Sequence, residues 1–274
     1  MNVKLISASF SLLLIFCRSA IPCKAQHPTP LQNKLTVAHL IDSLLQRKID
    51  QREIPGAVAL IKHQGTIVLK KAYGSANESD FDQRPLDVPE PMTTNHLFDI
   101  ASLTKVIGTT TGIMWLADQK KISIEDPVSL YLPALDSGEK RSITIRHLLT
   151  HTAGLMEWYP LYYRSSDRQS TYRLIAQLPL KYPVGKERHY SDLGFTLLGQ
   201  LIETVSGQGL DEFLREKIFR PLGMNHTLYN PKASGQAFAY AATSAGNPYE
   251  KRMVHDPSLG FTFKEIDPDQ WNNW

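Results

Sequence analysis

A chain of 274 residues holds one large domain or two small ones, and 42% apolar with 21% charged residues is the make-up of an ordinary globular protein, which excludes a low-complexity, collagen-like or disulfide-scaffold chain. The formal charge of +3 comes from 30 basic and 27 acidic residues, but Lys4, Arg18 and Lys24 sit in an N-terminal stretch that holds no acid. Without that stretch 27 bases face 27 acids, a balance that gives no reason to expect nucleic acid or an anionic membrane as partner.

The stretch has the anatomy of a secretory leader: Lys4, an apolar run over 5–16 too short to span a bilayer, and Cys23-Lys24-Ala25 with small residues at the cleavage positions. Residues 1–25 are therefore predicted to be a signal peptide, the chain to be exported to the periplasm or the medium, and the mature chain to have no transmembrane span. A lipoprotein anchor at Cys23 is the alternative, which Pro22 fits poorly. Both cysteines, Cys17 and Cys23, lie in this leader, so no disulfide, cysteine nucleophile or thiolate metal site is expected in the rest.

Residues 26–34 read as a Pro-bearing linker ahead of a domain over 35–274. Across 35–54, Val37, Leu40, Ile41, Leu44 and Leu45 recur at helical spacing, and Pro55-Gly56 ends the pattern. Residues 57–62 and 66–73 predict a hairpin turning at His63-Gln64-Gly65, and the polar, Pro-rich 77–94 predicts a loop. Helices follow over most of 98–117, after 143, and over 168–177, 192–205 and 210–219, the last two parted by Ser206-Gly207-Gln208-Gly209. Beyond 230 the pattern gives no helix and few strand signals. The order predicts an α+β fold, an antiparallel sheet packed with helices plus a helical lobe. Two visible strands alone make a marginal sheet.

Ser102-Leu103-Thr104-Lys105 is the first candidate for chemistry. Residues three apart on a helix share a face. A serine hydroxyl needs a base to become a nucleophile, and lysine serves when burial or a positive field lowers its pKa. The pattern alone is weak, since Ser137-Gly138-Glu139-Lys140 matches it too. Context separates them: Ser137 lies in a polar, Gly-containing stretch, whereas Ser102 begins a run of apolar and small residues in which Lys105 is a lone charge. Two readings of Lys105 stand, a catalytic amine or an ammonium snorkelling at the helix edge.

Tyr190-Ser191-Asp192 supports the catalytic reading, following the turn Tyr182-Pro183-Val184-Gly185 and leading into an apolar helix. With it, Phe98-Asp99-Ile100-Ala101-Ser102-Leu103-Thr104-Lys105 resembles the nucleophile motif of the serine hydrolases that comprise class C β-lactamases and penicillin-binding-protein-like esterases and D-Ala-D-Ala peptidases. Tyr190-Ser191-Asp192 is similar to that family's Tyr-x-Asn motif, Ile145-Arg146-His147-Leu148-Leu149-Thr150-His151-Thr152-Ala153-Gly154-Leu155 to its recurrent structural signature, and Pro221-Leu222-Gly223-Met224 to another. The resemblance runs from about residue 35 to the end. It implies that Ser102 attacks a carbonyl and is acylated, that Lys105 and Tyr190 share the proton, with the tyrosine as base toward Ser102 and acid toward the leaving group, and that the Ser102 N–H is an oxyanion donor. No metal or organic cofactor is implied. The bland reading of Tyr190 alone is a half-buried aromatic.

Two departures qualify the resemblance. Asp192, the expected substrate-binding residue, stands where many members have Asn; an ionised carboxylate cannot donate to a substrate carbonyl, which weakens a β-lactamase reading and favours esterase or peptidase. Asp192 has two other possible roles, pairing with Lys105 or capping the helix. The family's third motif, a Lys/His-x-Gly strand, has no convincing match, and the resemblance implies that it and the C-terminal strands after it are missing, so the sequence reads as a C-terminally truncated member with impaired activity, and Phe261, Phe263, Trp271 and Trp274 as aromatics awaiting a partner surface or a docked tail. The leading expectation is a serine hydrolase cleaving an amide or ester, on a β-lactam, a D-Ala-D-Ala-type peptide or a small ester; the alternative is a non-catalytic binder of cell-wall peptide or an inactive fragment. His147 and His151, four apart, lack a third ligand and are read as structural.

Overall fold

Helix α1 (Pro30–Asp50) opens the part of the molecule that the computed structural model describes, residues 30–80, 84–161, 164–165, 167–231, 235 and 237–243. The leader over 1–25 and the four aromatics of the tail lie outside it. Proline is suited to a first helical turn because its missing N–H has no partner there, so α1 takes in the end of the segment read as linker. Asp42 on α1 accepts from Lys71 Nζ (2.6 Å) and Tyr73 Oη (2.8 Å), tying the helix to the sheet.

Strands β1 (Gly56–His63) and β2 (Thr66–Ser79) form the expected hairpin. They pair antiparallel from Gly56 opposite Gly74 to His63 opposite Thr66. Gln64 (φ 47°) and Gly65 (φ 80°) are both left-handed, as a two-residue hairpin turn demands. The polar stretch expected as a loop is partly a third strand, β3 (Pro85–Pro91), paired irregularly with β2 in the order β1-β2-β3. Pro85, Pro89 and Pro91 hid it. A proline cannot donate to a ladder, yet it is tolerated on an edge strand, which is where β3 lies.

Residues 239–242, which carried no strand signal, strap the sheet to the segment before Ser102. Leu97 N–H donates to Ala239 O (2.8 Å), Ala241 N–H to Leu97 O (2.9 Å) and Ala242 N–H to Ala76 O (2.8 Å). The next helix opens with a π-helical stretch (Lys105–Thr110) and continues as α2 (Thr111–Asp118). The Thr111 hydroxyl donates to Val106 O, five residues back (2.9 Å).

Below it lies the helical lobe: α3 (Ile145–Leu149), α4 (Arg168–Gln177), α5 (Asp192–Ser206) and α6 (Leu210–Leu214), the last running into a π turn (Arg215–Phe219). The core sits here, not under the sheet. Helix α5 is apolar nearly all round, burying Leu193, Leu197, Leu198, Leu201 and Ile202 against Ile113, Leu148 and Phe213 of its neighbours, as a central helix must. Each such leucine contributes about 1.5–3 kcal/mol of burial. Gly207, at φ 72°, closes α5 with its N–H on Glu203 O. Among the described residues no helix is long and apolar enough to cross a membrane.

Candidate active site

Ser102 sits at the head of the helix that continues as α2, after Ala101, whose φ of 44° is left-handed and unfavourable for a residue with a Cβ. The turn is closed by Leu103 N–H on Ile100 O, Thr104 N–H on Ala101 O and Lys105 N–H on Ser102 O, at 2.9, 3.0 and 3.1 Å. Asp99, just upstream, accepts from the Thr243 hydroxyl (2.7 Å), so the strap from the sheet also holds the approach to Ser102.

The three-residue spacing does what it was expected to do: Lys105 Nζ donates to Ser102 Oγ at 3.0 Å. The same ammonium lies 2.6 Å from Asp192 Oδ1 and 4.9 Å from the centre of the Tyr190 ring. The four residues singled out from the sequence, Ser102, Lys105, Tyr190 and Asp192, thus converge on one nitrogen. The rival reading of a snorkelling lysine does not hold, because the Lys105 side chain is only 15% exposed.

Desolvation pulls the Lys105 pKa down, but Asp192 and a hydrogen bond with Tyr190 outweigh it and hold the ammonium above its ordinary value. This reverses the condition under which lysine would be the base: Lys105 stays charged and acts as a donor. Of the two other roles open to Asp192, pairing is the one realised. The cap of α5 is Ser191, whose Oγ accepts from Gly194 N–H (3.2 Å) while donating to Met156 O (2.7 Å). Asp192 Oδ1 is shut off from solvent while the side chain as a whole is 47% exposed, so its outward-facing oxygen is Oδ2.

The segment carrying Tyr190 is fastened from residues 151 and 157. Asp192 N–H donates to Glu157 O (2.8 Å), Ser191 N–H to His151 Nδ1 (2.9 Å) and His189 N–H to His151 O (2.9 Å). The Glu157 carboxylate is desolvated, yet hydrogen bonds from Tyr182 (2.6 Å) and Lys181 (2.9 Å) hold its pKa down to about 2. His147 and His151 do not converge on a shared ligand site. His147 Nδ1 accepts from Thr144 N–H (3.2 Å) in the capping box that starts α3, whereas His151 lies past the helix end. No cluster of three or more potential metal ligands occurs among the described residues. In the second Ser-x-x-Lys stretch, Lys140 Nζ donates to Ala176 O instead of joining Ser137.

Sequence reasoning missed the service roles of His151, Ser191 and Glu157. Ser191 was recoverable as a cap ahead of an apolar helix; the other two act through backbone groups that leave no spacing signal.

Comparison with known proteins identifies the family. The Beta-lactamase family model matches residues 41–260. An N-acetylmuramyl-L-alanine amidase of Bacillus subtilis (strain 168) is 33% identical over 80% of this chain and 52% of its own length. A putative D-alanyl-D-alanine carboxypeptidase of Escherichia coli (strain K12) is 33% identical over 75% of this chain and 50% of its own. Among solved structures, EstCE1, a hydrolase with promiscuous acyltransferase activity, superposes with a TM-score of 0.59 at 30% identity, covering 70% of this chain and 52% of that one. The chain spans about half the length of the curated relatives it matches.

Proposed function

The chain belongs to the beta-lactamase family, and we propose that it is a serine hydrolase that cleaves an amide or ester through an acyl-enzyme on Ser102. The observation that carries this reading is the single ammonium of Lys105 touching Ser102 Oγ and Asp192 at once, with Tyr190 alongside. Tyr190, beside that ammonium, is the proposed general base. As Ser102 Oγ bonds to the substrate carbonyl carbon, its proton passes to the Tyr190 oxygen. As the bond to the leaving group breaks, the same proton passes to the leaving nitrogen or oxygen. Water then enters with the proton route reversed, freeing the acid and Ser102. Lys105 remains charged throughout and offsets the negative charge on the oxygens it faces. The Ser102 N–H, at a helix head, is the proposed oxyanion donor.

Asp192 is the proposed substrate contact. Its exposed oxygen can only accept, so it suits a substrate that presents an N–H or ammonium rather than a carbonyl at that point. This favours an ester or peptide over a β-lactam. The relatives' names point to cell-wall chemistry, one to an N-acetylmuramyl-L-alanine amidase and the other to a D-alanyl-D-alanine carboxypeptidase. Peptidoglycan-derived peptide is accordingly the proposed natural substrate, met outside the cytoplasm as the apolar leader at 5–16 would require.

The test is turnover of p-nitrophenyl acetate, a D-alanyl-D-alanine peptide and nitrocefin by the full chain. Hydrolysis of the ester or the peptide that falls to background in Ser102→Ala, and by about 100-fold or more in Tyr190→Phe, is the expected result. Binding of the peptide without turnover of any of the three would favour the non-catalytic alternative.

A further inference from the structure

His151 is buried, 8% exposed, yet its φ of 60° is a conformation that asparagine or glycine adopts more cheaply. That conformation lets one residue face the 189–191 segment with both its carbonyl and its ring. The carbonyl accepts the His189 N–H (2.9 Å) and Nδ1 accepts the Ser191 N–H (2.9 Å), so the residues on either side of Tyr190 are pinned to the same partner. Between those two bonds the Tyr190 ring leans on the His151 ring, centroids 4.4 Å apart and planes 33° apart; Phe195 of α5 backs the imidazole at 5.0 Å. Tyr190 itself is 43% exposed, so little else encloses it.

Resting on the serine-hydrolase reading, we infer that His151 is a positioning residue for catalysis: its carbonyl, Nδ1 and ring together hold the 189–191 segment so that the Tyr190 hydroxyl stays beside the Lys105 ammonium. It touches no reacting atom. Its function requires Nδ1 to be an acceptor, hence a neutral ring with the proton on Nε2. Protonation would set an N–H against the Ser191 N–H and release the segment. The charged and titratable groups around the ring are Arg188 and Tyr190 from the segment leading into α5, Asp192 from the first turn of α5, and Lys105 from the helix that begins at Ser102. Desolvation, then Arg188 and Lys105, hold the His151 pKa below its ordinary 6.5, with Asp192 and the Ser191 bond opposing. The ring is therefore neutral at pH 7 and loses its role only in acid.

The experiment measures the rate at which a fluorophosphonate labels Ser102 in the full chain, by intact mass, from pH 5 to 9, in wild type, His151→Phe and His151→Asn. Phenylalanine keeps the stacking surface and removes the acceptor. Asparagine suits a left-handed backbone and places an amide oxygen near the position of Nδ1, but does not titrate. The expected result is labelling slowed about 100-fold in His151→Phe, within about tenfold of wild type in His151→Asn, and a wild-type fall in acid below the usual histidine range that is absent from His151→Asn. Labelling of His151→Phe at the wild-type rate overturns the inference. So does His151→Asn as slow as His151→Phe, or an acid fall unchanged in His151→Asn. Absence of any Ser102 labelling in wild type removes the hydrolase reading and this inference with it, whereas normal labelling that ignores position 151 removes this inference alone.

Discussion

At the scale of single residues the proposed chemistry turns on Lys105, whose charge Asp192 and Tyr190 hold in place. Desolvation acts to neutralise the amine; the carboxylate and the Tyr190 hydroxyl act to keep it charged, and they prevail. A lysine pKa held above its solution value stabilises the fold below pH 10.5, and that contribution is lost as pH rises through the folded value. In Asp192→Asn the largest of the raising causes is gone and desolvation remains, so Lys105 should lose its proton at lower pH than in wild type. The expected outcome is an alkaline fall in Ser102 labelling that moves to lower pH in Asp192→Asn; an unmoved alkaline limb would mean that Asp192 does not govern the ammonium. Helical spacing is the local signal that pointed to Ser102 and Lys105, whereas Tyr190 and Asp192 were singled out through the resemblance of Tyr190-Ser191-Asp192 to a family motif. The role of Asp192 was not legible. Pairing, capping and substrate contact use the same side chain, and only the position of Lys105 across the site separates them.

Among the elements, the segment between α3 and α5 matters most, because it fixes where Tyr190 arrives. Its tightest point is Gly154, at φ 75°, where an added Cβ would lie 2.2 Å from Tyr182 O. Gly154 O also accepts the N–H groups of Lys181 and Tyr182, at 2.9 and 3.1 Å. Gly154→Ala combines left-handed strain with a backbone clash, and should destabilise by about 2–4 kcal/mol, read as a lowered denaturant midpoint. It should also slow Ser102 labelling, since the 181–182 turn leads into the Tyr190 segment. A variant as stable as wild type would show that the segment relaxes freely. Helices α4 and α5 were legible close to their ends because caps and apolar periodicity mark them: Asp167 and Ser170 form a capping box, and Ser191 caps α5. Strand β3 was illegible because its three prolines signal a loop, and pairing with β2 overrode that local preference. The strap over 239–242 was illegible because single bridges to Leu97 and Ala76 impose no periodic pattern.

Across the whole molecule, apolar burial is uneven. The helical lobe is densely filled, while the sheet buries only Tyr73 and Ala76 and leaves Leu60 and Ile67 more than half exposed. The helix that begins at Ser102 likewise turns Leu103 (58% exposed), Val106 (63%) and Met114 (64%) to solvent. Exposed apolar side chains that form one patch bind amphiphilic dyes and self-associate. The full chain should therefore enhance the fluorescence of anilinonaphthalene sulfonate, and the double variant Val106→Lys/Met114→Lys should lose much of that signal; a wild-type chain that binds no dye would show that this face is covered. The sequence pattern implied an α+β molecule with a helical lobe, and the fold agrees. Which faces stay uncovered was beyond it, because hydrophobic periodicity reports that a face is apolar and not what lies against it.

The proposed joint action of Ser102, Lys105 and Tyr190 is tested most directly by exposing the full chain to a fluorophosphonate and mapping the adduct by peptide mass spectrometry. A single adduct on Ser102, absent in Ser102→Ala and strongly slowed in Tyr190→Phe, is the expected result. No adduct, an adduct on another residue, or an undiminished rate in Tyr190→Phe would contradict it.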